Sequence, residues 1–265
     1  MEIEGSRALV TGATGGIGQA IARELHQRGA HVVLTGRRTE VLEKLAGELG
    51  ERADVVATDL SSTAAAQDLA TGGGRVDILV ANAAVPGSGT VDDYSPEEID
   101  RAIDVNLRAP MQLARALMPG MVERGSGHFV FVASISGKAA LGGSAVYSAT
   151  KFGVRGFAFG LREDLRATGV GVTTVFPGFI GDAGMFAETG IKLPAGSGTR
   201  TAGDVAAAVI KGVERNKAEI DVASLPQRTG GWLWPLAPSF VAALTRRAGG
   251  DKLAEKMSEA QRAKR

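Results

Sequence analysis

The stretch Arg7-Ala-Leu-Val-Thr-Gly-Ala-Thr-Gly-Gly-Ile-Gly-Gln-Ala-Ile21 decides the fold of this 265-residue chain. Its first five residues predict a short buried strand, and isoleucines four residues apart then predict one face of a helix. Between them lies a G-x-x-x-G-x-G pattern, formed by Gly12, Gly16 and Gly18. Glycines at such a turn let backbone N–H groups approach a phosphate at the helix N-terminus. A purely structural turn is the alternative, and no Gly-Lys-Ser/Thr follows, which disfavours a nucleoside-triphosphate loop.

Outward from this turn, apolar runs alternate with helical patterns. Almost wholly apolar strands joined by helices indicate a parallel sheet covered on both faces. We therefore predict an α/β fold of the doubly wound, Rossmann type, with ligands at the carboxyl ends of the strands. Residues 1–265 are predicted to form one domain. The predicted strands are residues 7–11, 31–35, 55–60, 76–83, 128–133, 170–176 and a weaker run at 219–223, and the longest predicted helical stretches are 96–123 and 144–167.

Two segments depart from this alternation. Residues 178–203 hold seven glycines and little periodicity, and we expect a substrate lid there because long irregular loops are usually functional. Residues 224–265 form a C-terminal extension, whose charged end from Arg246 onward is predicted to be a solvated helix. Within it lies an apolar cluster, which we expect to pack on the body of the protein; a substrate mouth, a subunit interface or a weak membrane contact are the alternatives. The cluster comprises Trp232, Leu233, Trp234, Leu236, Phe240, Val241 and Leu244.

Composition excludes several classes of function. Thirty basic and 29 acidic residues leave a net charge of +1, so a nucleic-acid partner is not expected. There is no cysteine, and the three histidines lack ligand spacing, so no metal site is expected. The acidic start lacks the pattern of a signal peptide, and no uncharged apolar run reaches the ~18 residues of a membrane span. We therefore expect a cytoplasmic protein without an integral membrane segment.

The end of the second predicted strand carries two arginines, Arg37 and Arg38. In a dinucleotide-binding fold this position reads the adenosine ribose. An acidic residue there binds the 2′-hydroxyl of NAD, whereas arginine suits the 2′-phosphate of NADP. A solvated helix start is the alternative interpretation. Together with the glycine turn, the arginines favour NADP over NAD.

Tyr147 and Lys151 lie four residues apart, early in a predicted helix. This spacing places both side chains on one helix face. A nearby ammonium group is expected to lower the pKa of the tyrosine, which would make it usable as an acid or base near neutrality. Such a pair also occurs by chance, with the tyrosine packed and the lysine solvated.

The order and approximate spacing of these motifs resemble the short-chain dehydrogenase/reductase family over residues 5 to about 215. Ser134 lies thirteen residues before Tyr147, as in that family. The resemblance implies that Tyr147 is the general acid/base and that Ser134 polarises the substrate carbonyl. It also implies that Lys151 binds the nicotinamide ribose, and that Asn106 holds a water in a proton relay. The cofactor-binding residues implied by the motifs and the resemblance are Gly12, Thr14, Gly16, Ile17, Gly18, Arg37, Arg38, Asp59, Leu60, Asn82, Ala83, Ala84, Tyr147, Lys151, Pro177, Gly178 and Ile180.

The chain departs from the family pattern at three places. Ala84 stands where the family usually has glycine, so its methyl group is expected to crowd the cofactor slightly. Asp182 stands where threonine often holds the carboxamide, which puts that contact in doubt because an ionised carboxylate cannot donate. The C-terminal fifty residues lack the family's usual final motif.

These observations predict an NADP(H)-preferring oxidoreductase that interconverts a ketone and a secondary alcohol. Apolar residues of the predicted lid, among them Phe179, Met185 and Phe186, favour an apolar substrate. The alternatives are an NAD-dependent hydroxyl dehydrogenase of the same family and a non-enzymatic NAD(P)-binding sensor. The resemblance also implies a homodimer or homotetramer paired through helices at about 108–123 and 147–165, and the altered C-terminus argues against the tetramer.

Overall fold

The computed structural model of the chain describes residues 1–72, 74–193 and 196–262. Its centre is a parallel sheet of seven strands in the order β3-β2-β1-β4-β5-β6-β7. Strand order reverses between β1 and β4, which is the switch point where such sheets bind ligands. The doubly wound fold is therefore confirmed. The strands are β1 (Arg7–Thr11), β2 (His31–Gly36), β3 (Ala53–Ala57), β4 (Ile78–Ala81), β5 (Gly127–Val132), β6 (Val170–Pro177) and β7 (Glu219–Val222).

Helices cover both faces of the sheet, because each strand presents apolar side chains on both sides. Apolar residues of α1, α2 and α8 pack on one face. Those of α3, α5 and α6 pack on the other. The helices are α1 (Gly16–Gln27), α2 (Thr39–Leu49), α3 (Thr63–Gly72), α4 (Pro96–Ile103), α5 (Ala109–Glu123), α6 (Ala145–Asp164), α7 (Gly184–Ala187), α8 (Ala202–Arg215), α9 (Leu225–Leu233), α10 (Pro238–Arg247) and α11 (Gly250–Gln261).

Three predicted elements differ from the structure in their extent. The strand predicted at 76–83 ends at Ala81, because the next two amides donate to the side-chain hydroxyl of Thr11 and leave the ladder. The strand predicted at 55–60 runs from Ala53 to Ala57. The helical stretch predicted at 96–123 is interrupted by a π-helical turn, Asp104–Arg108.

The apolar cluster of the C-terminal extension does not pack on the body of the protein as predicted. Only Val241 of its seven residues is fully buried, at 6% exposure. Five others are largely exposed because α9 and α10 lie at the rim of the fold: Trp232 (58%), Leu233 (46%), Leu236 (83%), Phe240 (63%) and Leu244 (58%). Within the described ranges, no helix has both the length and the apolar character needed to cross a membrane.

The predicted solvated tail is helical, as α11, and its charged side chains from Asp251 to Glu259 are exposed. Gln261 is buried and its side-chain amide donates to the carbonyl of Met185 at 3.3 Å. Residues 263–265 of the extension and residues 194–195 of the predicted lid lie outside the described part of the chain.

Candidate active site

A cleft of about 1390 Å³ opens at the carboxyl ends of the strands. Loops after β1 to β6 contribute to its walls, as expected for the switch point of a doubly wound sheet. The structure brings almost the whole predicted site together here. The predicted residues that line the cleft are Gly12, Thr14, Gly16, Ile17, Gly18, Arg37, Arg38, Asp59, Leu60, Asn82, Ala83, Ala84, Ser134, Tyr147, Lys151, Pro177, Gly178 and Ile180. Asn106 is the predicted site residue that does not line it.

The glycine turn requires glycine at two positions. Gly12 has a φ of 67°, and a Cβ there would lie 2.8 Å from the backbone of Ala83. A Cβ on Gly18 would lie 2.9 Å from the side-chain nitrogen of Asn82. That amide group donates to the carbonyl of Thr11 at 2.9 Å and so ties the end of β1 to the loop after β4. The turn therefore delivers the N-terminus of α1 to the cleft, which is the arrangement that binds phosphate.

The two arginines after β2 have different surroundings. The Arg38 guanidinium donates to the backbone carbonyl of Thr14 at 2.7 Å, so it braces the glycine turn. Arg37 is exposed at the wall of the cleft. The pKa of Asp59 is lowered, first by the hydrogen bond from the Ser61 amide and also by the positive charge of Arg37. Arg37 thus lines the cleft with its side chain exposed and its positive charge acting on Asp59.

Tyr147, Ser134 and Lys151 meet at the floor of the cleft. The Ser134 hydroxyl and the Tyr147 phenol both line the cleft, and the serine favours the ionised form of the phenol. The Lys151 ammonium is buried, donates to the carbonyl of Val132 at 3.1 Å, and lies 5.5 Å from the centre of the Tyr147 ring. Gly87 leaves room for this tyrosine, because a Cβ there would lie 2.6 Å from the Cβ of Tyr147.

The expected lowering of the tyrosine pKa by Lys151 is not found. Burial raises the pKa of Tyr147 to about 12, opposed only by the hydrogen bond with Ser134. Burial also lowers the pKa of Lys151 to about 8. The physical reason is that the cleft floor withdraws both groups from water, and desolvation disfavours the charged form of each. The tyrosine therefore keeps its proton at neutral pH.

Asn106 lies behind the cleft, in the π-helical turn. Its side chain accepts from the Val85 amide at 2.8 Å and donates to the Val85 carbonyl at 3.0 Å. It also approaches the hydroxyl of Thr150 at 3.5 Å. This set of contacts clamps the loop after β4 against α6, which carries Tyr147 and Lys151. The predicted water relay remains a prediction.

Asp182 has a structural contact. Its carboxylate accepts from the backbone N–H of Ala202, the first residue of α8, at 2.9 Å. Ile180 forms an isolated parallel bridge with Arg200 beside it. Both ends of the predicted lid are thus pinned together, and the Phe179 and Phe186 rings lie 4.7 Å apart between their centres. That residues 178–203 move as a lid remains a prediction.

Sequence reasoning missed the part of the site that comes from α11. A Cβ built on Gly143 would lie 3.0 Å from the Cβ of Ala254, and the Ser258 hydroxyl lies 3.5 Å from the Asp93 carboxylate. The hydrogen bond from the Gln261 side chain to the Met185 carbonyl holds the other end of α11. The helix thus spans the end of the cleft that Met185 lines. No local signal predicts this, because a charged helical pattern is equally typical of a solvated tail.

A buried charge cluster, Lys138, Asp221, Glu219 and Arg155, was also missed. The Lys138 ammonium is 2.5 Å from Asp221 and 2.9 Å from Glu219, and it lies 4.0 Å from the centre of the Phe176 ring. Arg155 holds Glu219 from the other side at 2.7 Å. The cluster fastens the turn after Ser134 to the edge strand β7.

Comparisons with known proteins agree with this geometry. A family model described as short chain dehydrogenase matches residues 6–193. The ketoacyl reductase HetN of Nostoc sp. is 35% identical over 234 residues, which cover 84% of this chain and 80% of that protein.

Solved structures show the same likeness. A short-chain dehydrogenase from Sphingobium yanoikuyae in complex with NADPH superposes with a TM-score of 0.75 at 29% identity, covering 82% of this chain and 87% of that one. Actinorhodin polyketide ketoreductase with NADPH gives a TM-score of 0.76 at 30% identity, covering 84% and 97%. The chain belongs to the short-chain dehydrogenase/reductase family, and it is an NAD(P)-dependent oxidoreductase acting on CH–OH and C=O groups.

Proposed function

We propose that this enzyme is an NADP(H)-preferring reductase that interconverts a ketone and a secondary alcohol with an apolar substituent. The observation that carries the proposal is that Ser134, Tyr147 and the buried ammonium of Lys151 line one cleft, with the ammonium 5.5 Å from the centre of the Tyr147 ring. A proton donor, a second hydroxyl and a cation in one cleft are the groups that carbonyl reduction needs.

Each group has a distinct part in the reaction. When bound, the nicotinamide cofactor supplies the hydride. Tyr147 donates its proton to the substrate oxygen, and Ser134 donates a hydrogen bond to the same oxygen. Lys151 stabilises the negative charge that develops there. A tyrosine whose pKa is raised to about 12 holds its proton at neutral pH, which is the state needed to donate that proton to a substrate oxygen.

The cofactor preference is supported by the loop after β2. The glycine turn fits a pyrophosphate at the N-terminus of α1, and a side chain at Gly12 or Gly18 would fill this cradle. Exposed Arg37 suits the 2′-phosphate of NADP, and no acidic residue occupies residues 35–38 to bind a 2′-hydroxyl. The bound NADPH in the two related structures agrees with this preference.

The substrate preference is supported by the far end of the cleft. Apolar side chains line it there, among them Phe179, Met185, Phe186, Leu233 and Met257. An apolar ligand that binds against an apolar lining leaves no polar group buried without a hydrogen bond. The name of the relative HetN, a ketoacyl reductase, also supports a carbonyl substrate.

We also propose that two copies pair through α5 and α6. The side chain of Met111 on α5 is exposed. It lines a second cleft of about 400 Å³ together with Leu107 and with Phe157 of α6. A homodimer buries this apolar surface, and a homotetramer remains the alternative. Sedimentation velocity tests the proposal: a monomer at micromolar concentration contradicts it. The cytoplasm remains the predicted location.

Two assays test the proposed reaction. NADPH oxidation is followed with a panel of ketones that differ in apolar substituent, and turnover is expected with some of them. Fluorescence titrations with NADPH and NADH compare the two affinities, and tighter NADH binding would favour the NAD-dependent alternative. Tight NADPH binding with no turnover on any ketone would contradict the reductase and favour a sensor.

A further inference from the structure

The surface of α9 and α10 is unusually apolar. Six of the eleven large hydrophobic side chains exposed in the described chain lie on it: Leu225, Trp232, Leu233, Leu236, Phe240 and Leu244. Soluble surfaces carry scattered apolar residues, but a contiguous group of this kind marks an interaction site. Neither the fold nor the proposed reaction requires these side chains to be exposed.

The charge of this surface has one sign. Residues 225–247 contain three arginines, Arg228, Arg246 and Arg247, and no aspartate or glutamate. The Arg228 guanidinium lies 5.5 Å from the centre of the Trp232 ring. Arg246 and Arg247 are exposed at the end of α10. Tryptophan, phenylalanine and leucine with arginine at the edge are the composition of helices that lie in the interface of an anionic membrane.

The apolar surface is continuous with the mouth of the cleft. Leu233, Phe240 and Leu244 are exposed and also line the cleft. A flat surface that binds to α9 and α10 therefore lies against the opening through which a substrate enters.

We propose that the α9–α10 surface binds the surface of an anionic lipid bilayer, with the mouth of the cleft facing the lipid. A second copy of the chain is a poorer occupant on charge grounds. A twofold interface brings the same patch of two copies together. That would bring six arginines into one interface, while residues 225–247 of the two copies supply no carboxylate to pair them. Anionic headgroups supply the missing negative charge, and the acyl region accepts the apolar side chains.

Intrinsic fluorescence tests this directly, because the chain has two tryptophans: Trp232 lies on this surface, and half-buried Trp234 lies at the end of α9. The full-length protein is mixed with vesicles of phosphatidylcholine alone or of phosphatidylcholine and phosphatidylglycerol at 3:1. A blue shift of the emission and co-sedimentation with the anionic vesicles are expected, both weaker in high salt. Unchanged emission with anionic vesicles would overturn the proposal.

Variants locate the binding to this surface. Leu236→Ser, which leaves both tryptophans and the cleft lining in place, is expected to lower the vesicle partition coefficient on the order of tenfold. Arg246→Gln with Arg247→Gln is expected to lower it roughly tenfold or more on anionic vesicles. The matched controls, exposed Val91→Ser and the double variant Lys44→Gln with Lys211→Gln, are expected to bind as the parent protein does. Equal losses in test and control variants would contradict the assignment.

A second copy is also a testable occupant. If the surface joins two copies, the emission shifts with protein concentration in the absence of vesicles, and Leu236→Ser lowers the sedimentation coefficient. That result would overturn the membrane proposal. Parent and variant with equal sedimentation coefficients, together with the vesicle-induced shift, would support it.

Entry of an apolar ketone from the bilayer is the use we assign to this surface, and that step rests on the proposed function. It predicts faster NADPH oxidation when the ketone is presented in anionic rather than neutral vesicles, and loss of that difference in Leu236→Ser. Equal rates with both kinds of vesicle would contradict the entry route. Absence of turnover on any ketone alongside a persistent emission shift would refute the proposed reaction while leaving the membrane contact in place.

Discussion

Replacing Lys138 by methionine tests whether the buried charge cluster stabilises the fold and positions Ser134. The variant leaves the Asp221 side chain, which is 7% exposed, without the ammonium 2.5 Å away. Removing one partner of a buried ion pair costs about 3–5 kcal/mol. Asp221 keeps the hydrogen bond from the Trp232 indole at 3.1 Å, and Glu219 keeps Arg155 at 2.7 Å. We therefore expect the lower end of that range, a loss of about 3 kcal/mol in the free energy of unfolding.

Urea unfolding at pH 7, followed by far-ultraviolet circular dichroism, measures this loss. Adding Asp221→Asn to Lys138→Met removes the uncompensated charge, so the double variant is expected to recover more than half of the lost stability. Lys44→Met, at an exposed lysine, is the control and is expected to change stability by less than ~0.5 kcal/mol. A loss under ~1 kcal/mol in Lys138→Met, or additive losses in the double variant, would refute the reasoning.

The cluster also has a kinetic consequence. Lys138 follows the 3₁₀ turn Ile135–Gly137, and Ser134 caps that turn by accepting from the Ser136 amide at 3.1 Å. Loosening Lys138 is therefore expected to displace Ser134. Small displacements of a catalytic group cost up to ~100-fold in rate. We expect kcat for ketone reduction to fall while the KM for NADPH stays unchanged. An equal change in both would indicate general loss of structure instead.

Three further predictions concern the site itself. Tyr147→Phe is expected to keep NADPH affinity and to lower kcat by about 10²–10⁴, because the proton donor is lost; near-normal turnover would contradict its role. Arg37→Asp is expected to shift the ratio of NADPH to NADH affinity about 10- to 100-fold towards NADH, more than Arg38→Ala does, and an unchanged ratio in fluorescence titration would exclude the phosphate contact. The kcat/KM for reduction is expected to be level below pH 8 and to fall above it. The reason is that the pKa of Lys151 is lowered to about 8, so its ammonium loses the positive charge above that pH. Tyr147 keeps its proton until about pH 12. A pH profile that stays level to pH 9.5 would show that the charge of Lys151 is not needed.

The course of the sheet was predictable from the sequence because its signals are local. The apolar run Ala8-Leu9-Val10 followed by the glycine turn predicts a strand, a turn and a helix at residues 7–27 without reference to the rest of the chain. The start of α4 is equally local, because Ser95 caps the helix and Glu98 completes the capping box within four residues of sequence. The strand ends were less predictable, because Thr11 draws the amides of Asn82 and Ala83 out of the ladder from across the sheet.

The sequence by itself determined which chemical groups are available: a glycine turn, two arginines after β2, and a serine, a tyrosine and a lysine at family spacing. Only the tertiary structure decided their electrostatic state. The cleft floor raises the pKa of Tyr147 and lowers that of Lys151 by withdrawing both from water, against the sequence-based expectation for the tyrosine. It likewise decided that α11 covers the substrate end and that the apolar residues of α9 and α10 face outward. Burial depends on how distant segments pack, and a local pattern carries no information about that.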